Sequence, residues 1–103
     1  MVIGKDKGDG SLRKQERPGH LSFVSEKQAM IVYAGPLLED GRMVGSIFVF
    51  DVPDRETLDA YLSEDPYFTG RILETIEIYD THWMVPERDP RALAAEVERA
   101  RQQ

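Results

Sequence analysis

The pattern of apolar positions along the chain centres on residues 45–52, a run rich in β-branched and aromatic side chains. Side chains of a strand alternate between the two faces of a sheet, so consecutive apolar residues place hydrophobic groups on both faces. Helices can cover one face, but a chain of 103 residues has little left for the other. The pattern therefore predicts a two-layer α+β fold whose second sheet face packs on another copy of the chain.

The remaining apolar segments predict three further strands and two main helices. The strands are expected at residues 1–5, 31–34 and 73–79, and the helices are expected to begin at Pro18 and Arg55. The order is βαββαβ, which is the ferredoxin-like arrangement: a four-stranded antiparallel sheet with helices on one face. The first and third strands are then central, as the two-sided apolar character of residues 45–52 requires.

Capping and turn residues predict where these elements begin and end. Ser11 is expected to cap a turn over residues 12–16, and Pro18 to take the first position of the following helix, with His20 in its first turn. Gly35-Pro36 is expected to end the second strand, which joins residues 45–52 through a long loop.

Aspartates are expected at the starts of the later helices. Asp54 is predicted to cap a helix over residues 55–63. Asp65-Pro66 repeats the arrangement over a single turn that ends at Gly70.

Beyond residue 79 the pattern changes, which predicts a domain over residues 1–79 and a tail over residues 80–103. The tail reads as an extended arm followed by a helix that Asp89-Pro90 starts and that runs to about Gln102. Leu93 and Val97 are its main apolar pair, and this face is too thin to hold a helix alone. We expect the helix to fray or to pack on a partner.

Composition and charge limit the classes of function. The net charge is −6, which argues against nucleic acid or an anionic membrane as a partner, because phosphate binding relies on clustered Lys and Arg. The absence of cysteine excludes disulfides, thiolate zinc sites and cysteine nucleophiles. No signal peptide or apolar run of spanning length is visible, so a cytoplasmic location is expected.

Short motifs in the predicted framework resemble a known family. They are His20-Leu21, residues 34–38 (Ala-Gly-Pro-Leu-Leu), Gly45-Ser46 and Asp65-Pro66-Tyr67. In order and spacing they resemble the YciI-like family, or YCII-related domain, of the dimeric α/β-barrel superfamily, over about residues 1–79. The resemblance implies ferredoxin-like protomers that dimerise through their sheet faces. The short first strand and the tail depart from the family pattern. The tail could cross the dimer, build a higher oligomer or restrict access to the site.

The resemblance also implies a His–Asp pair in a cleft beside the sheet, which falls here on His20 and Asp65. Family members with an assigned activity resemble lyases or dehydrochlorinases acting on hydroxylated, sometimes halogenated, rings. A carboxylate that accepts one imidazole N–H leaves the other ring nitrogen free to move a proton. The leading hypothesis is therefore a small enzyme of the lyase or isomerase type. Its substrate would contact Arg17, Gly35, Pro36, Ser46 and Tyr67.

Each of these residues also has a purely structural interpretation. Asp65 could be a helix cap and nothing more, as Asp89 is expected to be, and His20 could lie on the surface at a helix start. Ser46 could simply begin a strand, and Arg17 could be a surface arginine. The alternative function is a non-catalytic module that binds a small metabolite or regulates a partner. A haem-related barrel with His20 as ligand is a third, weaker alternative.

Cofactors and metals are not expected. His82 is the only histidine besides His20. Together with Asp80 these residues lack the further ligands, at helical or loop spacing, that a metal site needs. Lys7-Gly8-Asp9-Gly10-Ser11 lacks the pattern of a phosphate-binding loop, so nucleotide binding is not expected either.

Overall fold

The computed structural model describes residues 1–8, 10–85 and 91–102. Its strands are β1 (Val2–Asp6), β2 (Ile31–Glu39), β3 (Arg42–Phe50) and β4 (Leu73–Ile78). Its helices are α1 (Ser11–Glu26), α2 (Arg55–Leu62), α3 (Pro66–Thr69) and α4 (Ala92–Arg101), with a 3₁₀ turn at Gln28–Met30. The four strands form one antiparallel sheet in the order β2-β3-β1-β4. This confirms the predicted ferredoxin-like arrangement, with β1 and β3 in the centre.

The hydrophobic core lies between the sheet and the helices. Val2 of β1 pairs with Phe48 of β3, and both are buried together with Leu58 of α2. Around them pack partly buried side chains, namely Val24, Phe50, Val52, Leu62, Phe68 and Ile78. The apolar residues of β3 that alternate with Phe48 point away from the helices, as the sequence pattern predicted.

The first helix differs from the prediction. α1 runs without interruption from Ser11 to Glu26, so Pro18 lies inside it and His20 lies near its middle rather than in its first turn. The N-cap is Gly10, in the left-handed conformation at φ 89°. The prediction that Ser11 is the cap was therefore wrong, because Ser11 is the first residue of the helix itself. An interior proline removes one backbone hydrogen bond. The helix nevertheless persists, and it buries Arg13 and His20.

The second strand also differs from the prediction. β2 continues through Gly35 and Pro36, and Pro36 lies opposite Ser46 of β3. Proline is tolerated there because β2 is an edge strand, whose unpaired side needs no N–H. The loop to β3 is not long: Glu39 pairs with Arg42 across a two-residue turn. Both turn residues, Asp40 and Gly41, have positive φ, as in tight hairpin turns.

The predicted caps of α2 and α3 are confirmed. Asp54 accepts a hydrogen bond from the backbone N–H of Thr57 at 2.8 Å. Asp65 accepts one from the backbone N–H of Tyr67 at 3.0 Å, and Pro66 takes the first helical position. α3 packs against α1, which brings Asp65 towards the helix that carries His20.

The tail contains α4, close to its predicted bounds. Residues 80–85 are neither helix nor strand, and the Asp89-Pro90 start signal lies outside the described residues. Val97 is 45% exposed, in keeping with the thin apolar face. The division at residue 79 stays a prediction. Within the described ranges, none of the helices has the length and apolar character needed to cross a membrane.

Candidate functional site

A cavity of about 300 Å³ lies between α1 and the β2–β3 hairpin. This is at the lower end of the volumes usual for small-molecule sites, which run from about 300 to 1,000 Å³. Six of the seven predicted site residues line it, namely Arg17, His20, Gly35, Pro36, Ser46 and Tyr67. The other lining residues are Arg13, Leu21, Val24, Ala34, Met43 and Phe48.

The seventh predicted residue, Asp65, lies behind His20. The Nδ1 atom of His20 is 2.7 Å from Oδ1 of Asp65, whose side chain is fully buried. Because a carboxylate accepts hydrogen bonds, this contact places the imidazole proton on Nδ1. The Nε2 atom has no hydrogen-bond partner in the described part of the chain. Asp65 does not line the cavity, so Nε2 is the nitrogen available to a ligand there.

Asp65 has two further partners besides His20. Its Oδ1 also caps α3 through the N–H of Tyr67, and its Oδ2 accepts from the hydroxyl of Tyr61 at 2.8 Å. The pKa of Tyr61 is raised, first by burial and then by the hydrogen bond and negative charge of Asp65. Tyr61 therefore remains a hydrogen-bond donor. Capping and contact with His20 were opposed interpretations of Asp65, yet the same carboxylate does both.

Aromatic rings hold the imidazole in place. The ring of Tyr67 stacks on His20 with 3.6 Å between centroids and 7° between planes. Phe48 meets the imidazole edge-on at 5.9 Å. Together with the bond to Asp65, these contacts fix the direction in which His20 presents its second nitrogen.

Arg13 is a site residue that sequence analysis missed. Its guanidinium makes two hydrogen bonds to Asp6, at 2.5 and 3.0 Å, and one to the hydroxyl of Ser46 at 2.7 Å. It is 5% exposed, and its guanidinium carbon lies 4.6 Å from the ring centroid of Tyr67. The available signal was the spacing of Arg13, Arg17 and His20, which share one face of a continuous helix.

Arg13 remains a cation despite its burial. Burial is the largest single influence and lowers its pKa. The hydrogen bond and charge of Asp6, with smaller contributions from Tyr67, together outweigh burial, so the net pKa is raised. Tyr67 is thus close to the guanidinium. Its hydroxyl nevertheless meets the geometry of a hydrogen bond with no described residue.

Arg17 lies one turn further along α1, at the exposed edge of the cavity. Its only hydrogen bond within the described ranges is a long contact of 3.8 Å to the sulfur of Met43. No Asp or Glu lines the cavity. The chain has a net charge of −6, yet the charged residues that line this cavity, Arg13 and Arg17, are both basic.

The described residues contain no group of three or more His, Asp or Glu side chains arranged to hold a metal ion. His82 lies on the arm, apart from the residues that line the cavity around His20.

Comparison with known proteins identifies a likeness of fold. No family model and no curated protein sequence matches the chain. A solved structure that is similar is 5-chloro-2-hydroxyhydroquinone dehydrochlorinase from Burkholderia phenoliruptrix AC1100, in complex with 2,5-dihydroxybenzoquinone. The TM-score is 0.64 at 21% identity, and the match covers 79% of this chain and 93% of that chain. The shared fold agrees with the expectation from the YciI-like motifs.

Proposed function

We propose that this protein is a small enzyme of the lyase, dehydrochlorinase or isomerase type that acts on a small hydroxylated ring. One observation carries the proposal: His20 is held at 2.7 Å by a fully buried carboxylate, while its ring lines a cavity. In this assignment His20 is the general acid and base, and Asp65 is a positioning residue that acts through it.

The pair suits proton transfer. Asp65 accepts the Nδ1–H bond, so Nε2 carries a lone pair that can take a proton from an acidic O–H or C–H of the substrate. Asp65 then stabilises the imidazolium that forms, and a positioned base of this kind contributes a rate gain of about 10²–10⁴-fold. In an elimination, the electron pair released by the proton moves through the ring and a halide leaves with its bonding electrons.

The cavity also suits such a substrate. Gly35 and Pro36 form its wall on β2, Tyr67 and Phe48 supply aromatic surface, and Ser46 supplies a hydroxyl. Arg17 is assigned to an anionic group of the substrate at the edge. The similar solved protein binds 2,5-dihydroxybenzoquinone, which is the class of compound we propose to test first.

The test is turnover of chlorinated hydroxyhydroquinones, followed by chloride release and by the absorbance of the quinone product. His20→Gln should reduce kcat by about 10²–10⁴-fold. Because the substitution also disturbs a donor to the buried carboxylate of Asp65, the free energy of unfolding should fall by no more than roughly 1–3 kcal/mol, and kcat is measured under conditions in which circular dichroism shows the variant to be folded. His82→Gln is the matched control, because it removes the other histidine, which lies outside the cavity. Full activity of His20→Gln would contradict the proposal.

Asp65→Asn gives a second test of the assigned roles. Asparagine still caps helices well, so the fold should persist, but a neutral amide cannot stabilise the imidazolium. We expect kcat to fall while KM changes little. The folded fraction of the variant is measured by circular dichroism, and kcat is expressed per folded molecule. A kcat per folded molecule equal to that of wild type would indicate a structural role alone.

The alternative function is a non-catalytic module that binds a small metabolite in the same cavity. It predicts that the quinone binds and is recovered unchanged, with His20→Gln affecting affinity only. That outcome would replace the enzyme proposal.

A further inference from the structure

The cavity wall contains hydrogen-bond donors that the protein does not use. Ser46 accepts a bond from Nη2 of Arg13, so its own hydroxyl hydrogen is left over. The Nη1 group of Arg13 has no partner among the described residues. The hydroxyl of Tyr67 is buried and has none either.

The Tyr67 hydroxyl is the most informative of these groups. A buried polar group without a partner costs roughly 1–3 kcal/mol, so buried hydroxyls are nearly always paired. Phenylalanine would fill the same space and keep the stacking on His20 without this cost. The hydroxyl therefore indicates a partner that comes from outside the chain.

Charge indicates what kind of partner this is. Asp6 holds the guanidinium of Arg13 in a fixed position. Arg17 lies one turn away, and in the described structure no carboxylate is bound to it. No acidic side chain lines the cavity. The side chains thus offer several donors and one strong acceptor, the Nε2 atom of His20. A ligand that satisfies them is rich in acceptors and negatively charged, and it brings a proton to His20.

We propose that Arg13, Ser46 and Tyr67 form an oxyanion subsite that binds the negatively charged oxygen of an enolate-type or phenolate-type substrate. The inference rests on the proposed function and deepens it by naming the substrate class.

The subsite completes the proton transfer. When Nε2 takes a proton from a ring enol or from a carbon next to a carbonyl, the bonding electron pair moves onto the conjugated oxygen. The three donors stabilise that oxygen, and they need little rearrangement because Asp6 and the core already hold Arg13 in place. His20 later returns the proton, so protons and electrons balance without a further reactant.

The experiment measures binding, so it does not depend on turnover. The probe is 2,5-dihydroxybenzoquinone, an acidic enol that is ionised at neutral pH, and hydroquinone is the uncharged comparison. A hydrogen bond to a charged oxygen is strong enough that Tyr67→Phe should raise the Kd for the anion by about tenfold or more. The Kd for hydroquinone should change by less than about twofold.

Two controls separate this subsite from a structural role. Tyr79→Phe removes an exposed hydroxyl outside the cavity and should change neither Kd. Tyr67→Phe should leave Tm unchanged or raise it, because the lost hydroxyl has no internal partner. Ser46→Ala should raise the Kd for the anion, as Tyr67→Phe does.

The outcomes also separate this inference from the proposed function. His20→Gln should still bind the anion even though turnover is lost. If the wild-type protein binds the anion but turns over no substrate, the proposed function fails and the inferred subsite remains supported. An unchanged anion Kd in both Tyr67→Phe and Ser46→Ala would overturn the inference. Equal losses for the anion and hydroquinone would overturn it as well.

Discussion

Asp65 joins the fold to the candidate chemistry. It is fully buried and accepts bonds from the imidazole of His20, the hydroxyl of Tyr61 and the backbone of Tyr67. A buried carboxylate is tolerated only when it is well paired, and here three donors surround it. The cap of a four-residue helix thus fixes the orientation of a side chain on another helix.

Tyr61 supports this carboxylate, and Tyr61→Phe tests how strongly. The substitution keeps the ring but leaves Oδ2 of Asp65 without its donor, so we expect the free energy of unfolding to fall by roughly 1–3 kcal/mol. Urea unfolding at neutral pH measures the change. An unchanged midpoint would show that another donor or water replaces the hydroxyl.

The same tyrosine predicts a dependence on pH. Its pKa is raised above the ordinary value of 10.0, so its contribution to stability is complete below that value and is lost as the pH rises towards the folded-state pKa. Wild type should therefore lose stability above about pH 10, and Tyr61→Phe should lose less over the same range. Urea midpoints of the two proteins at about pH 8 and about pH 11 give the comparison. Equal losses of stability in the two proteins would contradict this prediction.

At the scale of elements, α1 builds one wall of the cavity. Arg13, Arg17 and His20 share a helix face only because the helix continues through Pro18. A helix that began at Pro18, as the capping pattern predicted, would have left both arginines outside the helix that carries His20, with Arg13 in a separate turn. The error in the predicted start is therefore the reason that sequence analysis missed the buried arginine.

The pairing of β1 with β3 depends on a glycine. A Cβ at Gly45 would lie 2.3 Å from the backbone oxygen of Gly4, closer than two such atoms can approach. Gly45→Ala must push the central strands apart, and we expect a loss of about 1–3 kcal/mol or more. Because Ser46 follows directly, ligand affinity should fall too.

Gly19→Ala is the matched control. A Cβ at this helical position would meet Pro66 no closer than 3.4 Å. Alanine in a helix interior is favoured over glycine by roughly 0.5–1 kcal/mol, so the protein should become more stable. Chemical denaturation of both variants gives the comparison, and equal stabilities would refute the assigned role of Gly45.

At the scale of the whole molecule, the sheet presents a second apolar face, on the side opposite the core. Register places Ile3, Ile47 and Val49 on this face, beside Tyr33, which is 58% exposed. We propose that a second copy of the chain covers it, as the two-sided apolar pattern of β3 predicted. Whether the tail adds to that assembly stays a prediction.

Light scattering at micromolar concentration tests the dimer. Wild type should have twice the mass of one 11.8 kDa chain, and Ile47→Lys should be monomeric because it buries a charge in the interface. Ala60→Lys places the same charge on the exposed side of α2 and should leave the dimer intact. A monomeric wild type would refute the proposal.

The sequence by itself determined the order of elements, the caps at Asp54 and Asp65, and the two-sided apolar character of β3. These features are local: alternation, capping and helix periodicity act over a few neighbouring residues. The motifs that resemble the YciI-like family indicated five residues that the structure brings to one cavity, and Asp65 behind them. The sixth, Arg17, was indicated by its position three residues before His20.

Only the tertiary structure decided which distant groups meet. His20 contacts Asp65 across 45 positions, and Arg13 contacts Ser46 across 33. Tertiary packing also allows α1 to continue through Pro18, although proline disfavours a helix interior. The edge position of β2 allows the strand to continue through Gly35-Pro36, although these residues favour a strand end. Local signals cannot predict such outcomes, because the energy that overrides them comes from burial and hydrogen bonds between elements far apart in the chain.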